Sequence, residues 1–191
     1  MDSHMKEIVG SWLSMIGTIE AAIGSTPFKR LGKGVSFDLR LTGNVLQASG
    51  SALSADGQGT ISLEKLGDEI QAVGNSTVVS GLLLDWGDEK EQRIIITGNW
   101  LQALGSFVGL ADEFEDNTPS GRAYNIIGNL LQGIGNSMQA AGGIEQLKQN
   151  QANSFFSIGV VGSWIQATGS VISLIGQIKE ERQEIELGIN E

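Results

Sequence analysis

Glycine recurs every seven residues in six segments of the chain, and this spacing restricts the possible fold more than any other feature. Seventeen of the eighteen heptad-spaced positions in these segments are glycine, and Asp112 is the exception. Residues seven apart lie on one face of an α-helix, two turns apart, whereas a strand repeats every two residues. The spacing therefore predicts six helices. The six windows begin at Gly10, Gly43, Gly67, Gly98, Gly128 and Gly162.

The same windows hold other residue types at fixed distances from their first glycine. Leucine or isoleucine stands three residues later, and glutamine stands four residues later except in the first window, which has Ser14. Glycine in a helix interior costs about 1 kcal/mol relative to alanine, so contacts between helices must compensate. Because glycine has no side chain, two backbones can approach closely enough to accumulate dispersion and Cα–H to carbonyl contacts.

We therefore predict an all-α fold of six antiparallel helices in an up-and-down repeat arrangement, with close packing mediated by glycine. The alternative is that the glycines mark loops or a disordered tract. Apolar residues recur in register with them, and 40% of the chain is hydrophobic, which is rare in disordered sequences. The predicted helix-packing seam consists of Gly10, Gly17, Gly43, Gly50, Gly67, Gly74, Gly98, Gly105, Gly128, Gly135, Gly162 and Gly169.

Capping residues and polar connections predict where the helices begin and end. Thr118 before Pro119, and Asp88 with Glu91, are typical of helix starts. We expect helices near residues 5–24, 36–56, 60–84, 88–113, 119–142 and 153–187, within one domain spanning 5–191. Residues 1–4 are interpreted as a cloning remnant before a natural start at Met5.

The composition argues against an enzyme and against nucleic-acid binding. The formal net charge is -10, which repels phosphate backbones. The chain has no cysteine, and its one histidine, His4, lies in the interpreted remnant. The usual general base, metal ligand and nucleophile pairs are thus missing, so we predict no catalytic, cofactor-binding or metal-binding residues and no small-molecule ligand. With no signal peptide in evidence, a cytoplasmic location is the default expectation.

Charged residues are concentrated in the connections and leave the helix centres neutral. No charge occurs in 94–111, 123–144 or 150–178, and such lengths can span a bilayer. The same stretches are rich in asparagine, glutamine and serine, which are costly when they face lipid, and basic residues show no clear bias between the two sides. We expect a mostly amide and hydroxyl outer face, through which copies of the chain self-associate.

Two repeated residue types carry open alternatives. Trp12, Trp100 and Trp164 hold one repeat position and are interpreted as core or helix-contact residues, with a membrane-interface belt or a ligand-stacking surface as alternatives. The repeated glutamines are interpreted as solvated positions or as an interhelical amide ladder.

Two charged clusters are interpreted as solvated surface. Lys29, Arg30 and Lys33 form the basic cluster, for which contact with an anion or a lipid headgroup is the alternative. The acidic cluster could offer oxygen ligands to calcium but lacks EF-hand spacing. It consists of Asp112, Glu113, Glu115, Asp116 and Asn117.

The repeated unit Gly-Asn/Ser-x-Leu-Gln-Ala-x-Gly resembles an uncharacterised family of repetitive proteins from Gram-positive bacteria. The resemblance implies a bacterial origin and no particular activity. From the residues themselves, we predict a non-enzymatic structural or interaction protein that forms homo-oligomers. The alternative is a membrane-active protein, pore-forming or inserting, that is soluble when folded.

Overall fold

Six α-helices account for nearly all of the residues that the structure, a computed structural model, describes: 2–59, 61–115, 120–149 and 157–188. These ranges contain no strand, in agreement with the predicted all-α class. The helices are α1 (Ser3–Ser25), α2 (Lys33–Gly57), α3 (Leu63–Leu83), α4 (Asp88–Glu115), α5 (Arg122–Gln149) and α6 (Ile158–Leu187).

Short polar side chains begin three of the helices. Asp2, Ser62 and Ser157 each accept a hydrogen bond from the backbone N–H three residues later, which satisfies one of the free donors of the first turn. Gly188 ends α6 in the left-handed conformation, with φ of 67°, which glycine adopts without steric cost. The predicted start at Thr118 and Pro119 lies outside the described residues.

Helix α5 is longer than the sequence predicted. It was expected to end near residue 142, but it continues through Gly142 and Gly143 to Gln149. Both glycines are buried, and a Cβ at Gly142 would lie 2.7 Å from the backbone nitrogen of Gly159. Packing of this kind compensates for the poor helix propensity of the glycine pair, so the pair does not end the helix.

The helices form a closed ring in which each one packs against two neighbours. Helices α1 and α2, α3 and α4, and α5 and α6 meet along what we call the paired seams. Helices α2 and α3, α4 and α5, and α6 and α1 meet along the linking seams. The contact between the first and the last helix closes the ring, which therefore has an inside and an outside.

All twelve glycines of the predicted seam are buried, and all lie on the paired seams. A Cβ added to any of them would fall within 3.0 Å of a backbone atom of the partner helix. At Gly105, for example, the added atom would lie 2.5 Å from the carbonyl oxygen of Gly67 and 2.9 Å from the backbone nitrogen of Gln71. The glycines face each other as Gly10 with Gly50, Gly17 with Gly43, Gly67 with Gly105, Gly74 with Gly98, Gly128 with Gly169 and Gly135 with Gly162.

The interior of the ring is polar. The largest side chains with less than 2% exposure are all polar or charged: Glu181, Asn75, Asn136, Thr18, Thr26, Ser106 and Ser163. Apart from alanines, the buried apolar residues of the described chain are Val78, Ile96, Val160 and Leu174. A globular protein in water normally shows the reverse arrangement, with large apolar side chains in the core.

The outside of the ring carries the large apolar side chains. On α4 these include Trp100, Leu104 and Phe107, which recur at helical spacing along one exposed face, with Leu104 51% exposed. Each of the other helices exposes at least one large apolar residue between its ends. The expectation of an amide and hydroxyl outer face is therefore wrong.

The three repeated tryptophans lie on this outer surface. Trp12, Trp100 and Trp164 are 40% to 47% exposed, so their interpretation as core residues is also wrong. Trp164 reaches the neighbouring helix with its indole Nε1, which donates a 3.0 Å hydrogen bond to Oγ1 of Thr26. The indole side chains remain exposed on the outer surface of the helix ring.

Candidate functional site

A layer of glutamine side chains crosses the interior of the ring. Gln47, Gln102 and Gln166 come from α2, α4 and α6, and they occupy the same position in their repeats. The Nε2 of Gln166 donates to Oε1 of Gln47 at 2.9 Å and to Oε1 of Gln102 at 3.4 Å. Its own Oε1 accepts from Nε2 of Gln139 at 2.9 Å. We call these four residues the amide layer.

The amide layer corresponds to the ladder that the sequence analysis left as one of two interpretations. Its three repeat glutamines are at most 4% exposed, so they are not solvated on the outer surface. Nε2 of Gln102 is buried without a hydrogen-bond partner among the described residues. An unsatisfied buried amide is costly, which distinguishes this layer from packing that serves stability alone.

The equivalent residues of α1, α3 and α5 lie at a different level. Ser14, Gln71 and Gln132 line a cavity of about 70 Å³ on one side of the amide layer. Serine hydroxyls and the carboxylates of Glu64, Asp68 and Glu113 line the same cavity, which we call the acidic cavity. The same repeat position therefore contributes polar groups to the amide layer from the even-numbered helices and to the acidic cavity from the odd-numbered helices.

Burial and mutual repulsion shift the acidic groups at this end of the ring. Burial raises the pKa of Glu64 well above its ordinary value, and the negative charges of Glu180, Asp68, Glu7 and Glu113 raise it further. Burial raises the pKa of Asp68 to about 7, although a hydrogen bond from Nε2 of Gln58 acts in the opposite direction. Glu64 and Asp68 precede the uncharged run 70–83 of α3.

A second cavity, of about 130 Å³, lies on the other side of the amide layer. Arg40 is its charged residue, and Gln92, Asn99, Gln139 and Gln146 contribute amides. Burial lowers the pKa of Arg40, which precedes the uncharged run 41–55 of α2. The interior thus has carboxylates at one end, amides in the middle and a guanidinium toward the other end.

The two charged clusters of the sequence analysis lie near opposite ends of this interior. Lys29, Arg30 and Lys33 are exposed, as the sequence predicted. In the acidic cluster, Asp112 accepts a hydrogen bond from the backbone N–H of Leu63, whereas Glu113 is buried and lines the acidic cavity. Interpreting Glu113 as solvated surface is therefore wrong. Asp116 and Asn117 lie outside the described residues.

One group of side chains in the described chain has a geometry that could hold a metal ion. His4 Nδ1 lies 2.5 Å from an oxygen of Glu181 and 3.6 Å from one of Glu184. Because His4 belongs to the interpreted cloning remnant, we assign no metal chemistry to this group.

Three helices are long and apolar enough to cross a bilayer by length and composition. They are α1, the stretch Asp88–Phe114 of α4, and α6. Fewer than half of the residues in the apolar window of each are buried inside the ring. Most of each apolar window therefore lies outside the buried interior of the ring.

The chain matches the model of a protein family. The model described as Family of unknown function (DUF6944) matches residues 5–174. No curated protein and no solved structure matches the chain.

Proposed function

We propose that this chain, which belongs to the Family of unknown function (DUF6944), is a membrane protein whose six-helix ring encloses a polar interior and faces lipid with its apolar outside. The observation that carries the proposal is the reversed distribution of side chains: amides, hydroxyls and carboxylates are buried, while tryptophan, leucine, isoleucine and phenylalanine are exposed. Lipid removes the penalty for exposing apolar surface, and it favours folds that satisfy polar groups internally.

The exposed apolar residues are distributed around the ring, and this favours lipid over a single protein partner. Val73 on α3 is 58% exposed, Leu104 on α4 51% and Ile127 on α5 49%. Water-soluble monomers rarely expose apolar patches of more than a few hundred Å². A second copy of the chain would cover one side of such a ring, whereas surrounding lipid covers every side.

The proposal includes a packing mode suited to a bilayer. We infer that neighbouring helices run antiparallel and that the paired seams are held by glycine-to-glycine backbone contact. The close approach of Gly17 to Gly43 and of Gly67 to Gly105 supports this inference. In lipid there is little hydrophobic force between helices, so close backbone packing through small residues becomes a principal source of stability.

Self-association is the second candidate. It was the first choice from the sequence, and the exposed apolar surface that would bind lipid could also bind further copies of the chain. Both candidates are non-catalytic. The membrane candidate assigns the protein to a bilayer instead of to the cytoplasm, and it differs from the sequence-based alternative because the folded state itself, without rearrangement, is suited to lipid.

Flotation with vesicles distinguishes the two candidates. Detergent-free protein is mixed with phosphatidylcholine and phosphatidylglycerol vesicles. The mixture is floated on a density gradient, and the floated vesicles are washed with alkaline carbonate. We expect the chain to float and to resist the wash. A chain that stays at the bottom of the gradient, and that forms a defined oligomer by light scattering without lipid, would contradict the membrane candidate and support self-association.

A further inference from the structure

The amide layer lies between the two interior cavities and separates them. Ser51, one helical turn beyond Gln47, lines the acidic cavity. Asn99, three residues before Gln102, lines the cavity that contains Arg40. Gln47 lies on α2 just before a residue of the acidic cavity, and Gln102 lies on α4 just after a residue of the other cavity. The layer is therefore the barrier between the two cavities.

The amide groups of the layer can interact with water and small cations, so the layer is not suited to be a permanent seal. Four amide side chains from α2, α4, α5 and α6 meet there, and each carries a carbonyl oxygen and an NH₂ group. Gln102 is 2% exposed, and its Nε2 has no hydrogen-bond partner among the described residues. This Nε2 can therefore donate a hydrogen bond to a water molecule that enters the layer. An apolar layer would exclude water more effectively.

We propose that the amide layer is the closed gate of a conduit for small monovalent cations through the ring, an inference that rests on the proposed membrane function. The side chains of Gln47, Gln102, Gln139 and Gln166 hold one another across the interior, and entry of an ion requires that these hydrogen bonds open. Glu64 and Asp68 line the cavity on one side of the gate, and their ionised carboxylates, which form once the pH exceeds their raised pKa values, favour cations over anions.

Substitutions at Gln166 separate the size of the side chain from its chemistry. Gln166→Ala removes both the donor to Gln47 and Gln102 and the acceptor for Gln139, and it leaves space at the centre of the ring. Gln166→Leu keeps a side chain of similar volume without an amide. We expect Gln166→Ala to open the conduit and Gln166→Leu to keep it closed, because a narrow apolar constriction excludes water.

The measurement is potassium efflux from vesicles that contain the purified full chain. Vesicles loaded with potassium salt are diluted into buffer that is free of potassium, and a proton carrier with a pH-sensitive dye reports the compensating proton entry. We expect Gln166→Ala to raise the initial rate about tenfold or more over the unsubstituted chain, and Gln166→Leu to leave it near the rate of empty vesicles. Replacing chloride by gluconate should leave the Gln166→Ala rate unchanged, since the cation carries the current.

Two further variants keep the inference open to contradiction. If Gln166→Ala does not fold, Gln102→Ala replaces it, because that substitution removes the unpartnered amide and the weaker of the two hydrogen bonds from Gln166. In the Gln166→Ala background at alkaline pH, where the carboxyl groups are ionised, Glu64→Gln combined with Asp68→Asn should lower the potassium rate severalfold.

Several outcomes would overturn the inference. If the alanine variants enter vesicles with native helicity and conduct no faster than the unsubstituted chain, the gate is wrong while the membrane function stands. If chloride replacement abolishes the flux, the cation assignment is wrong. If the unsubstituted chain does not enter vesicles, both the gate and the proposed function are contradicted.

Discussion

The paired seams and the linking seams of the ring are built in different ways. On the paired seams a glycine of one helix faces the backbone of its partner, as Gly74 and Gly98 do. On the linking seams the helices meet through side chains: Thr18 and Ser170 join α1 to α6 at 2.5 Å between their hydroxyl oxygens, and Gln58 joins α2 to α3 through Asp68. Where glycines do lie on a linking seam, they meet side chains, as Gly133 meets Phe107.

The difference indicates how the ring is assembled and where it responds to its surroundings. Contacts between backbones depend on shape and contain no titratable group, so they should be insensitive to pH and tolerate no added side chain. Contacts through hydroxyl, amide and carboxylate groups tolerate changes in side-chain size better, and those that include a carboxylate depend on its protonation. We therefore expect the paired helices to behave as the rigid units and the linking seams to be the places where the ring can adjust.

The largest expected effect comes from filling a paired seam. Replacing Gly105 or Gly135 by leucine should destabilise the chain by about 3 kcal/mol or more, although leucine is the better helix former. A Cβ at Gly135 alone would lie 2.6 Å from the backbone nitrogen of Gln166. Thermal unfolding in one detergent, followed by circular dichroism, measures the change.

Gly109 provides a matched control one turn along the same helix as Gly105. An added Cβ there meets only Asn129 of α5, at an ordinary 3.6 Å. Gly109→Ala should therefore be neutral or stabilise the chain by up to about 1 kcal/mol. If Gly105→Leu melts at a higher temperature than the unsubstituted chain, or if Gly105→Ala and Gly109→Ala behave alike, backbone contact does not hold the paired seam.

A smaller effect should follow from pH at the linking seam between α2 and α3. Between the ordinary value of 3.8 and the folded-state pKa of about 7, folded Asp68 holds a proton that the unfolded chain has released. Stability is therefore highest on the acidic side of this window and falls as the pH rises through 7, with burial of Glu64 acting in the same direction. Raising the pH from 5 to 8 should cost about 1 to 3 kcal/mol.

The variant Asp68→Asn tests the origin of that pH dependence. Its amide oxygen can still accept from Gln58, and it has no charge to bury. The variant should be more stable than the unsubstituted chain at pH 8 and should lose part of the slope between pH 5 and 8. A slope that is unchanged in Asp68→Asn, measured by denaturant titration at each pH, would assign the effect to other groups.

The smallest effect is expected from one hydrogen bond on the seam between α6 and α1. Thr18→Val keeps the shape of a side chain that is 1% exposed and removes its hydrogen bond with Ser170, together with the local one that Thr18 donates to the carbonyl oxygen of Met15. Ser170 retains its bond to the carbonyl oxygen of Ala167, so the cost should be about 1 kcal/mol. A loss as large as that of Gly105→Leu, measured in the same detergent, would remove the distinction between the two kinds of seam.

The glycine spacing predicted the number of helices and their centres because a heptad stripe has only one regular conformation that places its members on one face. The end of α5 was missed because burial of Gly142 and Gly143 in this ring, which a local pattern does not contain, outweighs their helix propensity.

The direction of the polar face could not be read from the sequence. Periodicity shows that the repeat glutamines and the repeat tryptophans occupy different faces of a helix, but the surrounding solvent decides which face turns inward. Reasoning for water left Gln102 open between a solvated position and an interhelical ladder, and it assigned Trp100 to the core or to a helix contact; in the structure Gln102 is buried and Trp100 is exposed. The sequence allowed the amide layer to be predicted only as an interhelical ladder. The position of the layer along the helices depends on which helices are neighbours in the ring.

Quenching of the outer tryptophans tests the central claim that the apolar outside faces lipid. Trp86 in the connection after α3 is replaced by phenylalanine, which leaves Trp12, Trp100 and Trp164 as the fluorophores. In vesicles of phosphatidylcholine brominated along its acyl chains, we expect strong quenching by the lipid and little quenching by aqueous iodide. Fluorescence that iodide quenches freely and that brominated lipid leaves unchanged would contradict the account.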